Sequence, residues 1–117
     1  MSRSNAPANP RFESTVRESF ARQGMMKLLG AALTEVSPGR VMIEVPFSDR
    51  ISQQQGLFHG AVIGAIADNA AGYASLSLMP VDSEVVTVEY KINFLRPADG
   101  DLLRAIGEVV RAGRNMT

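Results

Sequence analysis

The 117-residue sequence has no cysteine, a single histidine and no excess of charge of either sign. Without cysteine there is no disulfide framework, thiolate metal site or cysteine nucleophile, and an intracellular setting is favoured. Twelve basic residues cancel twelve acidic ones, so no bulk charge is available to hold nucleic acid. The opening "MSRSNAPANP" lacks the apolar stretch of a signal peptide and reads as a disordered tail over residues 1–11. No G-x-S-x-G is present, which removes the nucleophile elbow of serine hydrolases. One histidine and one helical aspartate do not converge on an ion, so no metal site is expected.

What is present fits one globular domain over residues 12–117, with a hydrophobic share of 45% and a charged share of 21%. Phe12, Val16 and Phe20 recur every fourth position, predicting an amphipathic helix over Phe12–Lys27, with Gly24 and Gly30 punctuating its end. "AALTEV" and "RVMIEVPF" read as strands joined by the turn Ser37-Pro38-Gly39-Arg40. In the second strand Val41, Ile43, Val45 and Phe47 share a face. A long helix follows over residues 59–79. Its length raises a membrane-span question, but it is built of Gly, Ala and Ser and carries Asp68 and Asn69, so a buried helix without a membrane is the better reading.

Val85–Arg96 then reads as a strand, with Val86, Val88, Tyr90, Ile92 and Phe94 on one face and Thr87, Glu89, Lys91 and Asn93 on the other. After the turn "RPADGD", Leu102–Arg111 is another strand. The class is therefore α+β, an antiparallel sheet wrapped around one long central helix. The chain stops at "AGRNMT", which looks like the turn into a further strand. The expectation is a shortened sequence or a sheet edge that something covers.

The long helix has two unlike faces. At about 100° per residue, Val62, Ile63, Ile66, Tyr73 and Leu76 gather on one side. Gly60, Ala61, Gly64, Ala65, Ala67, Asp68, Ala71, Gly72 and Ser75 gather on the other, a face that is nearly bare backbone. Glycine costs a helix about 1 kcal/mol relative to alanine, so several together need a packing reason. Asp68 has no cation three or four residues away, and no Lys or Arg occurs between Arg50 and Lys91. An acid on a helix is usually solvated or hydrogen-bonded to a distant group. This one is a candidate base or nucleophile.

His59-Gly60 opens the helix, where free N–H groups and the positive dipole end can hold developing negative charge. As a bare dipeptide it reads equally as a turn and a cap. Gly60 and Asp68 are eight residues apart, about 12 Å at the α-helical rise of 1.5 Å per residue. A base and an oxyanion donor must both lie about 3 Å from one reacting centre. If the pair is catalytic, the site must lie between two copies whose helices run antiparallel.

"GLFHGAVIGAIADNAAGYA" followed by "VVTVEYKINFLRPA" resembles the hotdog-fold acyl-CoA thioesterases of the phenylacetic-acid-degradation type, within the 4-hydroxybenzoyl-CoA thioesterase superfamily. The resemblance covers residues 12–117. It implies that Asp68 is the catalytic carboxylate and that the Gly60 N–H polarises the thioester carbonyl, with His59 beside it. It implies that Gln53 orients substrate or water and that the Thr87 hydroxyl assists Asp68. Ala61, where many members carry a second glycine, Asn69 and Arg96 are the expected substrate-binding residues. The family sheet has one or two further strands beyond "GRNMT". The partners implied are an acyl-CoA or aryl-CoA substrate and a second copy of the chain, as a homodimer or a dimer of dimers. No cofactor beyond the substrate's own coenzyme A is implied, no metal or nucleic acid, and the location is cytoplasmic. Two other readings stand beside hydrolysis. One is a hotdog hydratase or dehydratase. The other is a non-enzymatic acyl-CoA sensor with Arg96, Arg104 or Arg111 near the phosphates, although arginines at strand ends are more often simply solvated.

Overall fold

Val41, Ile43 and Val45 alternate with Met42 and Glu44, and that period of two makes Arg40–Pro46 a strand with one fully buried face. The computed structural model describes residues 6–117, in the order α1 (Phe12–Ala21), α2 (Gly24–Leu29), β1 (Ala32–Ser37), β2 (Arg40–Pro46), α3 (Gly60–Leu76) and β3 (Leu102–Glu108). β1, β2 and β3 form an antiparallel sheet in that order, with β2 in the middle. The β1–β2 turn has Gly39 at φ 76°, the conformation its glycine was expected to supply. β1 carries a register shift between Leu33 and Glu35. Ion pairs join the strands on the exposed face: Arg40 with Glu35 at 3.0 Å and with Glu108, and Arg104 with Glu44 at 2.7 Å.

α3 lies across the buried face of the sheet. Val62, Ile66, Tyr73 and Leu76 are buried against Val41, Ile43 and Val45, as the bulky face requires, while Ile63 is half-buried. The small residues of α3 also have a packing role. Ala70 and Ala74 are fully buried, and the β3 backbone at Gly107 approaches so closely that a Cβ there would collide with the Ala70 carbonyl. At the far end, the fully buried Ser77 hydroxyl accepts the Gly39 N–H at 2.8 Å and donates to the Ala74 carbonyl at 2.6 Å. The end of α3 is thereby tied to the β1–β2 turn.

Two expectations are corrected. The helix over Phe12–Lys27 is two helices with a break at Arg22 and Gln23. Gly24 starts α2 rather than ending α1, and Gly30 closes α2 in the left-handed region at φ 72°. The strand over Val85–Arg96 joins no ladder among the described residues. It runs instead antiparallel along α3, with Phe94 against Gly60, Tyr90 against Gly64, Thr87 against Asp68 and Val85 against Gly72. A regular strand cannot turn both Thr87 and Tyr90 to one side, because its side chains alternate. The alternation breaks between them, and Val86 and Val88 are left 85% and 75% exposed.

Of the tail expected over residues 1–11, residues 1–5 lie outside the described residues. Within the rest, Asn9 is buried, donates to Thr15 Oγ1 at 3.1 Å and accepts the Arg11 N–H at 2.8 Å.

One substitution made at two glycines should act in opposite directions. Gly72 has room, its nearest neighbour to an added Cβ being Val85 at 3.8 Å. Gly72→Ala is expected to stabilise the fold by about 0.5–1 kcal/mol through helix propensity. Gly107→Ala meets backbone that cannot swing away and is expected to cost about 1–3 kcal/mol. Denaturant midpoints at unchanged slope check both signs.

Candidate active site

The N-terminus of α3 is built by its one histidine. His59 is the N-cap at φ −67° and ψ 137°, and its Nδ1 accepts the Ala61 N–H at 2.9 Å. That fixes the ring as a cap and leaves the Gly60 N–H without an acceptor among the described residues. The Phe94 ring sits over this end, 3.3 Å from where a Gly60 Cβ would be. A larger residue at position 60 would push the ring away.

Asp68 is half-buried two turns further along. Its Oδ1 accepts the Thr87 hydroxyl at 2.7 Å, and no cation pairs with it among the described residues. The acid and hydroxyl anticipated from sequence are thus brought together. Two cavities meet at this pair. One, about 730 Å³, runs along the small face of α3 beneath residues 83–92 and 112–117. The other, about 400 Å³, opens on the opposite side toward Gln23, Asn69 and Tyr73.

The remaining candidates lie elsewhere in the single chain. Gln53 stays in its own loop: its Oε1 accepts the N–H groups of Gln55 and Leu57, and its Nε2 donates to Gln55 Oε1 at 2.9 Å. No described hydrogen bond joins Gln53, His59 or Gly60 to Asp68. Asn69 donates to the Ala65 carbonyl at 3.0 Å and accepts from Gln23 at 2.6 Å. Ala61 and Arg96 are exposed, and Arg104 is engaged by Glu44 on the outer sheet face. Among the described residues no three His, Asp or Glu side chains group to hold a metal ion. Gln23 was not anticipated. Its only trace in the sequence is its place before Gly24, where one helix turns into the next.

The sequence model of the Thioesterase superfamily matches residues 55–117, more than half of the chain. The chain belongs to the thioesterase superfamily. The matched stretch holds His59, Gly60, Asp68 and Thr87. A crystal structure of a thioesterase family protein from Silicibacter pomeroyi is 43% identical, with a TM-score of 0.87 over 88% of this chain and 76% of that one. The PaaI protein of the phenylacetic acid degradation operon of E. coli shares the fold, with a TM-score of 0.80 at 22% identity over 92% of this chain and 76% of that one. A candidate esterase of Halobacterium salinarum is 32% identical over 77% of this chain, which spans 62% of that relative's length. A 1,4-dihydroxy-2-naphthoyl-CoA hydrolase of Listeria monocytogenes is 23% identical over 79% of this chain and 75% of its own. The sheet with its long central helix is therefore the hotdog fold of these thioesterases.

Among the described residues, 85–94 are held to α3 by side chains rather than by a ladder, with the Thr87–Asp68 hydrogen bond as a polar contact among apolar ones. Thr87→Val should therefore loosen this segment and speed tryptic cleavage at Lys91 several-fold, while Thr87→Ser should not. Equal cleavage rates in the two variants would show that the hydrogen bond does not hold the segment.

Proposed function

We propose that this thioesterase hydrolyses the thioester of an acyl-CoA or aryl-CoA, with each active site formed by Asp68 of one copy and the Gly60 N–H of another. The observation that carries the reading is the hydrogen bond from Thr87 to a half-buried Asp68, which has no cation partner among the described residues and lies on the helix whose first N–H, that of Gly60, has no acceptor among them. The relative that hydrolyses a naphthoyl-CoA supports the choice of a CoA thioester. Support for a second copy comes from helix rise, which holds the two groups about 12 Å apart within one chain. Val86, Val88 and Leu95, at 85%, 75% and 88% exposure, add an apolar surface for that copy to cover.

The chemistry follows from charge. Attack on the thioester carbonyl, by Asp68 itself or by a water whose proton Asp68 takes, places negative charge on the carbonyl oxygen. A helix N-terminal N–H aimed at that oxygen stabilises it. Collapse of the tetrahedral centre breaks the C–S bond and releases CoA as its thiolate, which then takes a proton. In the direct route, water subsequently cleaves the acyl-aspartyl anhydride. The Thr87 hydroxyl holds the Asp68 carboxylate toward the reacting carbon by the bond it already makes. No helix among the described residues is long and apolar enough to cross a membrane. A cytoplasmic location accords with the lack of cysteine and with a CoA substrate.

Asp68→Asn is expected to lower kcat by about 10²–10⁴-fold on any CoA ester that the protein hydrolyses, and unchanged turnover would remove Asp68 from the mechanism. Gly60→Pro deletes one N–H at a position where proline suits a helix start, and His59 already has the extended ψ that a following proline demands. It should cost about 10²–10³-fold in kcat with the fold retained apart from a shift of the Phe94 ring, and Gly60→Ala, which displaces the same ring but keeps the N–H, should cost much less. Steady-state kinetics beside circular dichroism checks both.

A further inference from the structure

The Gln23 side chain is fixed more firmly than a junction residue needs. Its backbone N–H closes α1 on the Phe20 carbonyl at 3.1 Å, and its own carbonyl starts α2 by accepting the Lys27 N–H at 3.3 Å. The orientation of its amide follows from its neighbours. Asn69 donates Nδ2 to the Ala65 carbonyl, so Asn69 Oδ1 is an acceptor and must face a donor. That donor is Gln23 Nε2, at 2.6 Å from Asn69 Oδ1 and 2.7 Å from the Tyr73 hydroxyl. Both hydrogens of the amide are then used. Tyr73, buried and accepting from Gln23, shares a further hydrogen bond of 2.9 Å with Ser19 Oγ.

This arrangement leaves Gln23 Oε1 without a donor among the described residues, on the wall of the cavity of about 400 Å³ that Asp68 and Thr87 also border. On this chain's side, a thioester carbon within reach of Asp68 has two cavities in which its acyl group can lie. The larger is a trough along the helix. The smaller is lined mainly by polar groups, with the Arg22 guanidinium beside amides, hydroxyls and carboxylates and with Leu76 and Val85 as its apolar part, which suits a short polar acyl group better than an alkyl chain.

We infer that Gln23 is a specificity-determining residue: its Oε1 accepts a hydrogen bond from a hydroxyl or amine on the acyl group of a substrate positioned by Asp68. The Ser19–Tyr73–Gln23–Asn69 network sets the direction of that half-buried acceptor, so the site discriminates by a hydrogen bond and not by shape alone. The inference rests on the thioesterase reading, and its test separates the two.

The probes are hydroxybenzoyl-CoA isomers and benzoyl-CoA, which differ by one hydrogen-bond donor. For at least one isomer, kcat/KM should exceed that for benzoyl-CoA in the wild type. In Gln23→Met, which keeps the volume and loses the amide, that preference should fall about tenfold while benzoyl-CoA turnover is retained. Tyr73→Phe frees the amide without removing it and should give a smaller loss of preference. A preference unchanged in Gln23→Met, whether both esters slow equally or neither does, would overturn the inference. Ligand-observed NMR with the free hydroxybenzoates and benzoate reads the same contact without turnover. A wild type that hydrolyses none of the esters therefore counts against the thioesterase reading, while an equal NMR response of wild type and Gln23→Met to the two acids counts against Gln23.

Discussion

The rise of an α-helix is the constraint on which the rest of the molecule depends. Gly60 and Asp68 lie on one unbroken helix, and eight residues at 1.5 Å each hold an N–H without an acceptor among the described residues and a carboxylate bonded to Thr87 about 12 Å apart. No side-chain rotation closes that distance, because one of the two groups is backbone. If both groups serve one reacting carbon, a rigid helix must contribute its N-terminus to one site and its midpoint to another.

Three different elements reach α3, two of them over its small residues. At Ala70 the helix is bare enough for the β3 backbone to approach at Gly107, which seats the sheet. At Gly60, Gly64 and Gly72 it takes Phe94, Tyr90 and Val85 from the segment that follows, and the same side presents Asp68 to Thr87. On a third side Asn69 and Tyr73, one turn apart, take Gln23 from the α1–α2 junction. Asp68 lies where the second and third of these packings meet, so two cavities reach it: a larger trough along the helix with a mixed polar and apolar lining, and a smaller, mainly polar one toward Gln23. Helix propensity lost at the glycines is the cost of that access.

The parts of this legible in sequence are those set by local periodicity. Alternation over Arg40–Pro46 marked the central strand, the Pro38-Gly39 turn fixed its partner, and the length and two-faced composition of residues 60–76 marked the helix and its buried side. His59 as the residue opening the helix and Asp68 on the small face were equally readable. What local pattern could not show was parity broken by packing. Val85–Arg96 alternates well enough to read as a strand, yet Thr87 and Tyr90 both turn to α3 because Asp68 and Gly64 stand there to receive them. The helix break at Gln23 was hidden in the same way. Phe12, Val16 and Phe20 keep helical spacing up to it, and only the distant amide and hydroxyl of Asn69 and Tyr73 give the junction residue its place.

The claim that α3 shares itself between two sites has a direct measurement. Asp68→Asn and Gly60→Pro each spoil a different half of every site, so a mixture of the two proteins can rebuild activity only if the halves come from different chains. After unfolding and refolding together at equal amounts, random pairing gives half heterodimers, each with one intact site, and turnover should recover to roughly a quarter of the wild-type rate. A mixture that stays as inactive as its parents, while labelled chains show that heterodimers have formed, would place Asp68 and its oxyanion donor in the same chain and contradict the account.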